Sequence, residues 1–293
     1  MTIRPRRSVL YMPGSNARAI EKAKSLPVDG VILDLEDAVA PDAKAAARQQ
    51  VADAVAAGGF GPRELVIRTN AISSPWFADD ITAVIQAKPD AVLIPKIETA
   101  QQLELVGQRL LDGHADLRIR VWAMIETPRA IFNIEELGHA AADSETRLSC
   151  FVLGTNDLAK ETRARQVPGR APMLAWLSMA VMAAHAGGID VLDGVYNDIA
   201  NADGFLRECE QGRDFGFDGK TLIHPNQIAP CNTVFSPAPD EVAQARAMIA
   251  EFAKPENKGK GVVQIGGRMV ERMHAEMAGR TVAIAEGIAA RQG

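Results

Sequence analysis

Short apolar runs recur along the chain, each closed by a turn and followed by a stretch whose apolar residues return every three or four positions. The runs cover residues 8–12, 30–35, 65–68, 91–94, 119–125, 149–153, 191–196 and 220–223. Runs of this length read as strands and the stretches between them as amphipathic helices, so their alternation predicts βαβ units and a parallel sheet. Turn chemistry supports this: Pro13-Gly14-Ser15-Asn16 closes the first run, and Pro41-Asp42 opens an Ala-rich helix that continues to Ala57. Eight such units predict an α/β fold of the (β/α)8 (TIM) barrel type. An open doubly wound sheet is the alternative, but it normally carries a glycine fingerprint after an early strand. Neither G-x-G-x-x-G nor G-x-x-x-x-G-K-S/T occurs here.

Beyond His224-Pro225 the chain continues further than a barrel requires. Pro239-Asp240-Glu241 predicts a helix start, with acids in its first turn, running to about Ala253. Residues 254–261 (KPENKGKG) read as a linker, 262–265 are apolar, and 269–290 have the pattern of a long amphipathic helix. The expected division is a catalytic barrel over residues 1–235 and a helical extension over 236–293. The extension is read as a lid or dimerisation arm packing on a neighbouring subunit.

Composition narrows the function more than the fold. The 293 residues are 47% hydrophobic and 24% charged, with a net charge of −5. That balance argues against a general nucleic-acid binder, which needs a broad basic surface to neutralise phosphates. Cys150, Cys209 and Cys231 are too few and too scattered for a disulfide framework or a C-x-x-C zinc site, which points to a reducing cytoplasm. Arg4, Arg6 and Arg7 precede an apolar run that Pro13-Gly14 stops early, so the segment reads as a first strand rather than a signal-peptide core. No apolar stretch approaches the roughly 20 residues of a membrane span.

Barrel active sites lie at the C-terminal ends of the strands, and here those ends are charged. The second run closes in Asp34-Leu35-Glu36-Asp37, the third in Arg68, the fourth in Pro95-Lys96, the fifth in Glu126-Thr127-Pro128 and the sixth in Asn156-Asp157. Glu126 and Asp157 are one βα unit apart and therefore stand on neighbouring strands, about 4.8 Å from each other. Mg2+ takes oxygen ligands at about 2.0–2.1 Å, so both carboxylates can share one ion and leave positions for substrate and water. Either acid alone would more often cap a helix; the pair, facing Arg68, favours a metal.

Arg68 ends an otherwise apolar strand, where its guanidinium suits a carboxylate or a developing oxyanion. An internal ion pair with Glu36 or Asp37 is the other reading, and the two are compatible. Lys96 offers a Schiff-base amine, ranked second because an acidic metal site makes a covalent imine unnecessary. His224 reads equally as a general base or a structural hydrogen-bonder. Pro13-Gly14-Ser15-Asn16 at the mouth of the first helix presents free N–H groups to an anion, and Arg18, Lys22 and Lys24 follow, by default a solvated face.

At these residues the chain resembles the citrate lyase β-subunit and malyl-CoA (citramalyl-CoA) lyase family of the HpcH/HpaI aldolase superfamily. The matching segments are RSVLYMPGSNAR (7–18), DGVILDLEDAV (29–39), VIRTNA (66–71), LIPKIE (93–98), AMIETP (123–128), LGTNDLA (153–159), DGVYND (193–198) and GFDGKTLIHPNQI (216–228). They span nearly the whole chain in order.

The resemblance implies a (β/α)8 barrel with Glu126 and Asp157 as Mg2+ ligands, Mn2+ being the alternative ion. It implies that Arg68 holds the substrate or its oxyanion, that Glu36 and Asp37 buttress the site, and that Arg18 and Lys24 contact CoA phosphates. The family's G-K/R-M-V/I-D segment, whose aspartate reaches a neighbouring subunit's site as an acid–base candidate, is here Gly267 to Glu271. Glutamate thus replaces aspartate. LGTND also departs from the LGxED of citrate lyase β-subunits, with Asn156 in place of the first acid.

The implied activity is reversible, Mg2+-dependent carbon–carbon cleavage of a malyl-CoA or citramalyl-CoA type ester into an α-oxo acid and an acyl-CoA. The alternatives are a thioesterase using the same site, or a citrate lyase β-subunit acting on an acyl-carrier-protein thioester. The implied assembly is a homo-oligomer, trimeric or hexameric.

Overall fold

The computed structural model describes residues 3–291. The chain divides into two compact units: Arg6–Asn232, and Met1–Pro5 together with Thr233–Gly293.

The first unit is a barrel of eight parallel strands. They are β1 (Ser8–Pro13), β2 (Gly30–Asp34), β3 (Glu64–Arg68), β4 (Ala91–Ile94), β5 (Arg120–Ile125), β6 (Leu148–Leu153), β7 (Asp190–Asp193) and β8 (Gly219–Leu222). Each pairs with the next, and β8 returns to β1. Helices α1 (Ala17–Ala23), α2 (Lys44–Ala57), α3 (Phe77–Ala87) and α4 (Ala100–Asp112) connect the first five strands. The short α5 (Pro128–Phe132) and α6 (Ile134–His139) lead to β6. Then α7 (Thr155–Thr162) and α8 (Leu174–Ala186) lead to β7, and α9 (Ala202–Phe215) to β8. After β8 the chain leaves through α10 (Ile228–Val234).

The predicted runs coincide with these strands to within a few residues. The largest difference is β7, which ends at Asp193 rather than Tyr196. Just past that end the backbone at Gly194 packs closely on the end of β6, where a Cβ would stand 2.8 Å from the Leu153 carbonyl oxygen.

Side chains alternate faces along a strand, and one face of the barrel strands builds a continuous core. Val9, Ile32, Val66, Leu93, Trp122, Cys150 and Leu192 belong to that buried cluster. Two residues further along the same alternation stand Tyr11, Asp34, Arg68, Met124 and, beyond the end of β5, Glu126. The pattern that fills the barrel therefore also carries polar groups into its mouth.

The opposite end is closed by Arg6. Its guanidinium donates to Glu64 Oε1 and Oε2 (both 2.8 Å) and to Asp190 Oδ2 (2.6 Å), and lies 5.0 Å from the Trp122 ring.

The second unit contains α11 (Pro239–Ala253), a hairpin of β9 (Val262–Ile265) and β10 (Arg268–Glu271), and α12 (Arg272–Ala289). Phe252, Val263 and Val270 form its small core. The hairpin corrects the helix expected from residue 269. Gly266 and Gly267 both have positive φ (55° and 81°), the requirement of a tight two-residue hairpin turn, so residues 268–271 pair as a strand and the helix begins at Arg272. No described helix is long and apolar enough to cross a membrane.

Candidate active site

A cavity of about 390 Å³ opens at the C-terminal end of the barrel. Tyr11, Asp34, Asp37, Arg68, Met124, Glu126, Asn156 and Asp157 are among the residues lining it. Four of the residues expected to carry chemistry (Asp37, Arg68, Glu126 and Asp157) thus face one space, and Glu36 stands directly behind it. Glu126 projects from the residue after β5 and is 1% exposed. Asp157 is half-buried in the first turn of α7, where the helix's N-terminal partial charge favours an anion. Gly154 sits between the two acids. A Cβ there would lie 2.5 Å from Glu126 Oε2 and 2.4 Å from Glu126 Cβ, so only glycine leaves room for that carboxylate.

Arg68 is held on three sides. Its Nε and Nη2 donate to Asp34 Oδ1 and Oδ2 at 2.7 and 2.6 Å, a two-point fork made between register partners on neighbouring strands. The Tyr11 ring lies 5.0 Å from the guanidinium carbon. Nη1 remains for the mouth, 2.8 Å from Glu36 Oε2 and 3.7 Å from Met124 Sδ. The Glu36 contact is close in distance but lacks hydrogen-bond geometry, so Glu36 Oε2 is buried without a hydrogen-bond partner. Burial tends to discharge Arg68, but Asp34, Tyr11 and Glu36 outweigh it and hold its pKa well above the ordinary value. Asp34 is the site residue that strand-end reasoning did not single out. Its role depends on cross-strand register, which no local motif records.

Lys96 adopts a left-handed backbone conformation (φ 55°) at the end of β4. Its N–H donates to Glu126 Oε1 at 2.8 Å, and its Nζ lies 3.3 Å from Glu36 Oε1. Burial lowers the lysine's pKa, yet Glu36, Glu126 and Asp157 raise it further, leaving an ammonium above its ordinary value. A Schiff-base lysine needs the reverse. His224 caps the turn at Pro225–Gln227, accepting from the Asn226 N–H at 3.2 Å through Nδ1, and does not line the cavity.

The remaining expected residues lie elsewhere. Arg18 is exposed in the first turn of α1, the helix end nearer the mouth. Lys24 follows the other end of α1, paired with Glu21 at 2.8 Å and 5.4 Å from the Phe60 ring, which belongs to the loop entering β3. Lys24 therefore stands at the end of the barrel away from the mouth. Glu271 belongs to the second unit, exposed at the end of β10, where its N–H donates to His274 Nδ1 at 3.1 Å.

The mouth carries five carboxylates (Asp34, Glu36, Asp37, Glu126 and Asp157) against the two bases Arg68 and Lys96. Burial, with Glu36 and Asp157 close by, raises the Glu126 pKa from 4.5 to about 8. An excess of hard oxygen donors around a reluctantly ionised carboxylate is what a divalent cation relieves. Among the described residues no group of three or more His, Cys, Asp or Glu is arranged to hold a metal. Glu126 and Asp157, which both line the cavity and whose charges act on one another, are the candidate donors for such an ion.

A closed barrel with an acidic cavity at the C-terminal ends of its strands has the build of an enzyme site. The chain belongs to the HpcH/HpaI aldolase/citrate lyase family, whose model matches residues 7–225. It is 45% identical over 286 residues to a (3S)-malyl-CoA thioesterase of Cereibacter sphaeroides, covering 98% of this chain and 96% of that one. It is 33% identical over 273 residues to the citrate lyase subunit beta of Escherichia coli K12, covering 92% and 89%. Among solved structures it resembles the protein CitE of Mycobacterium tuberculosis in complex with magnesium, acetoacetate and coenzyme A. The TM-score is 0.75 and the identity 28%, over 96% of this chain and 98% of that one.

Proposed function

We propose that this chain is a Mg2+-dependent enzyme of malyl-CoA type esters, and that it hydrolyses (3S)-malyl-CoA to malate and CoA. The observation that carries the reading is the 45% identity to a (3S)-malyl-CoA thioesterase, sustained along nearly all of both chains. The acidic mouth supports it. In this reading Glu126 and Asp157 hold Mg2+, which supplies Lewis-acid polarisation of substrate oxygens. Arg68 Nη1 stabilises the oxyanion formed when water adds to the thioester carbonyl. Asp37 at the rim orients water, Glu36 keeps Arg68 in place, and Arg18 contacts CoA phosphates. Glu271, contributed by a neighbouring copy of the chain, takes the proton of the attacking water and returns it to the departing thiolate. The second unit then acts as a lid within a cytoplasmic homo-oligomer.

Carbon–carbon cleavage to an α-oxo acid and an acyl-CoA is the second reading, favoured by the 33% identity to a citrate lyase subunit beta. The same mouth serves it, since charge then develops on the substrate alkoxide and the departing enolate. Incubation with (3S)-malyl-CoA and Mg2+ tests both. Malate and free CoA are expected; glyoxylate and acetyl-CoA in their place would establish cleavage, and no turnover would sink both readings. A citryl thioester on an acyl-carrier protein belongs in the same panel, as the substrate of a citrate lyase β-subunit.

A further inference from the structure

Lys44, the first residue of α2, is buried at 6% exposure, and among the described residues no carboxylate lies within bonding distance of it. Its ammonium donates to the carbonyl oxygens of Leu35 (2.8 Å) and Glu36 (2.7 Å) and lies 5.3 Å from the Trp76 ring. A buried charge is costly to keep unless it is paired and hydrogen-bonded. A methionine of similar length would fill this space with no charge to bury, so packing alone does not explain a lysine here.

Its bonds point to a role. The two carbonyls belong to the turn that carries Glu36 and Asp37. Asp34 holds the same turn from the other side, accepting from the N–H groups of Glu36 (2.8 Å) and Ala38 (3.2 Å). The Leu35 N–H donates to the Arg68 carbonyl at 2.9 Å and the Val39 N–H to the Glu36 carbonyl at 3.0 Å. The Glu36 peptide is thus clamped from both faces, and its carboxylate reaches Arg68 Nη1 and Lys96 Nζ. The Asp34 fork on Nε and Nη2 fixes the plane of the Arg68 guanidinium, and Glu36 sets the charge beside the remaining nitrogen, 2.8 Å from Nη1.

We infer that Lys44 is a positioning residue: through the Leu35 and Glu36 carbonyls it fixes the Glu36 carboxylate in its ion pairs with Arg68 Nη1 and Lys96 Nζ, and so sets the charge on the nitrogen that faces the cavity. The inference rests on the function proposed above, in which that nitrogen meets the developing oxyanion. Lys44 touches neither substrate nor metal ligand, so its effect falls on kcat.

The test uses the full-length protein with Lys44→Met, which removes both donors, and Lys44→Gln, which keeps one neutral N–H donor group. Per folded molecule, Lys44→Met lowers kcat by about 10- to 100-fold with KM changed by less than about twofold, and Lys44→Gln falls between. The Arg68 Nε–H resonance, identified by its loss in Arg68→Lys, broadens or moves in Lys44→Met without any substrate present. A residue that only supported α2 would lower the melting temperature and leave both readouts alone. Wild-type kcat in the variants together with an unmoved Arg68 signal overturns the inference. If Lys44→Met does not fold, Lys44→Gln alone decides on the same criteria. If the wild type hydrolyses and cleaves nothing while the Arg68 signal still moves, the proposed function fails and the positioning stands.

Discussion

Two buried charge clusters occupy the same barrel and differ in completeness. On β7 and β8, Asp193 (0% exposed) accepts from Lys220 at 2.9 Å and from Arg170 Nη1 at 2.7 and 2.9 Å, while Lys220 also donates to Glu208 at 2.7 Å. Two acids meet two bases. Burial opposes the Asp193 charge, yet Lys220 and Arg170 prevail and hold its pKa below the usual carboxylate range. On β2 to β6, five carboxylates meet two bases, and Glu126 is driven the other way. Burial of charge therefore does not mark a site by itself. What marks it is charge that the chain does not neutralise and that a ligand must complete.

The strongest way to break this distinction is to neutralise one acid in each cluster. Glu126→Gln is expected to cost activity by about a thousandfold or more while the melting temperature holds or rises, because the site loses a carboxylate it ionises reluctantly. Asp193→Asn should do the reverse. It leaves Lys220 and Arg170 short of a partner and costs about 3–5 kcal/mol of stability, with kcat per folded molecule within about twofold. Parallel melting and turnover assays decide, and an inactive but fully stable Asp193→Asn protein would dissolve the contrast.

Gly154→Ala is the next test. The new Cβ meets the Glu126 carboxylate, so calorimetry should find Mg2+ bound about 10- to 100-fold more weakly, as when a ligand's supporting shell is disturbed. Unchanged Mg2+ affinity would mean that Glu126 does not hold the ion.

Acid and base act on the clusters with opposite sign. Without metal, native Glu126 keeps a proton between pH 4.5 and about 8 that the unfolded chain has already lost. Stability therefore falls as pH rises through that window. Asp193, with its depressed pKa, contributes stability at neutral pH that disappears on acidification. Melting curves in a chelator should accordingly decline on both sides. Saturating Mg2+ should lift the alkaline side alone, through ligand binding to the native state. An equal Mg2+ effect at pH 5 and pH 8 would count against coupling to Glu126.

The smallest expected effect separates two basic residues. Arg18→Ala should raise KM for a CoA ester by about fivefold at most, in a salt-sensitive way, as loss of an exposed charge contact does. Lys24→Ala should leave KM alone, since that ammonium is engaged with Glu21 and Phe60 away from the mouth. Steady-state kinetics at two ionic strengths would show the reverse order if the phosphates follow another path.

Most of the fold was legible in the apolar runs because a barrel strand buried on both faces has little freedom in composition. The β9–β10 hairpin was not, since Arg268–Glu271 is mostly polar and only the paired glycines before it mark the turn. In the mouth, Glu126, Asp157 and Arg68 could be read because Arg68 ends β3 and the two acids follow shortly after the ends of β5 and β6. Asp34 ends a strand as well, but its meaning lies in standing opposite Arg68, and register is a property of two strands. Lys44 was hidden further, since its partners are backbone carbonyls, which no side-chain pattern reveals. The left-handed backbone of Lys96 left no local trace, because glycine is the residue expected there.

The Arg6 plug at the closed end of the barrel bears on how such a protein can change over generations. It ties the start of the chain to β3 and β7 and rests on a tryptophan of β5, using no residue of the mouth. Folding strength drawn from that end is not forfeited when residues at the other end are exchanged. A lineage built on this plan can trade one reaction for another by small steps at the rim, each intermediate still a folded protein.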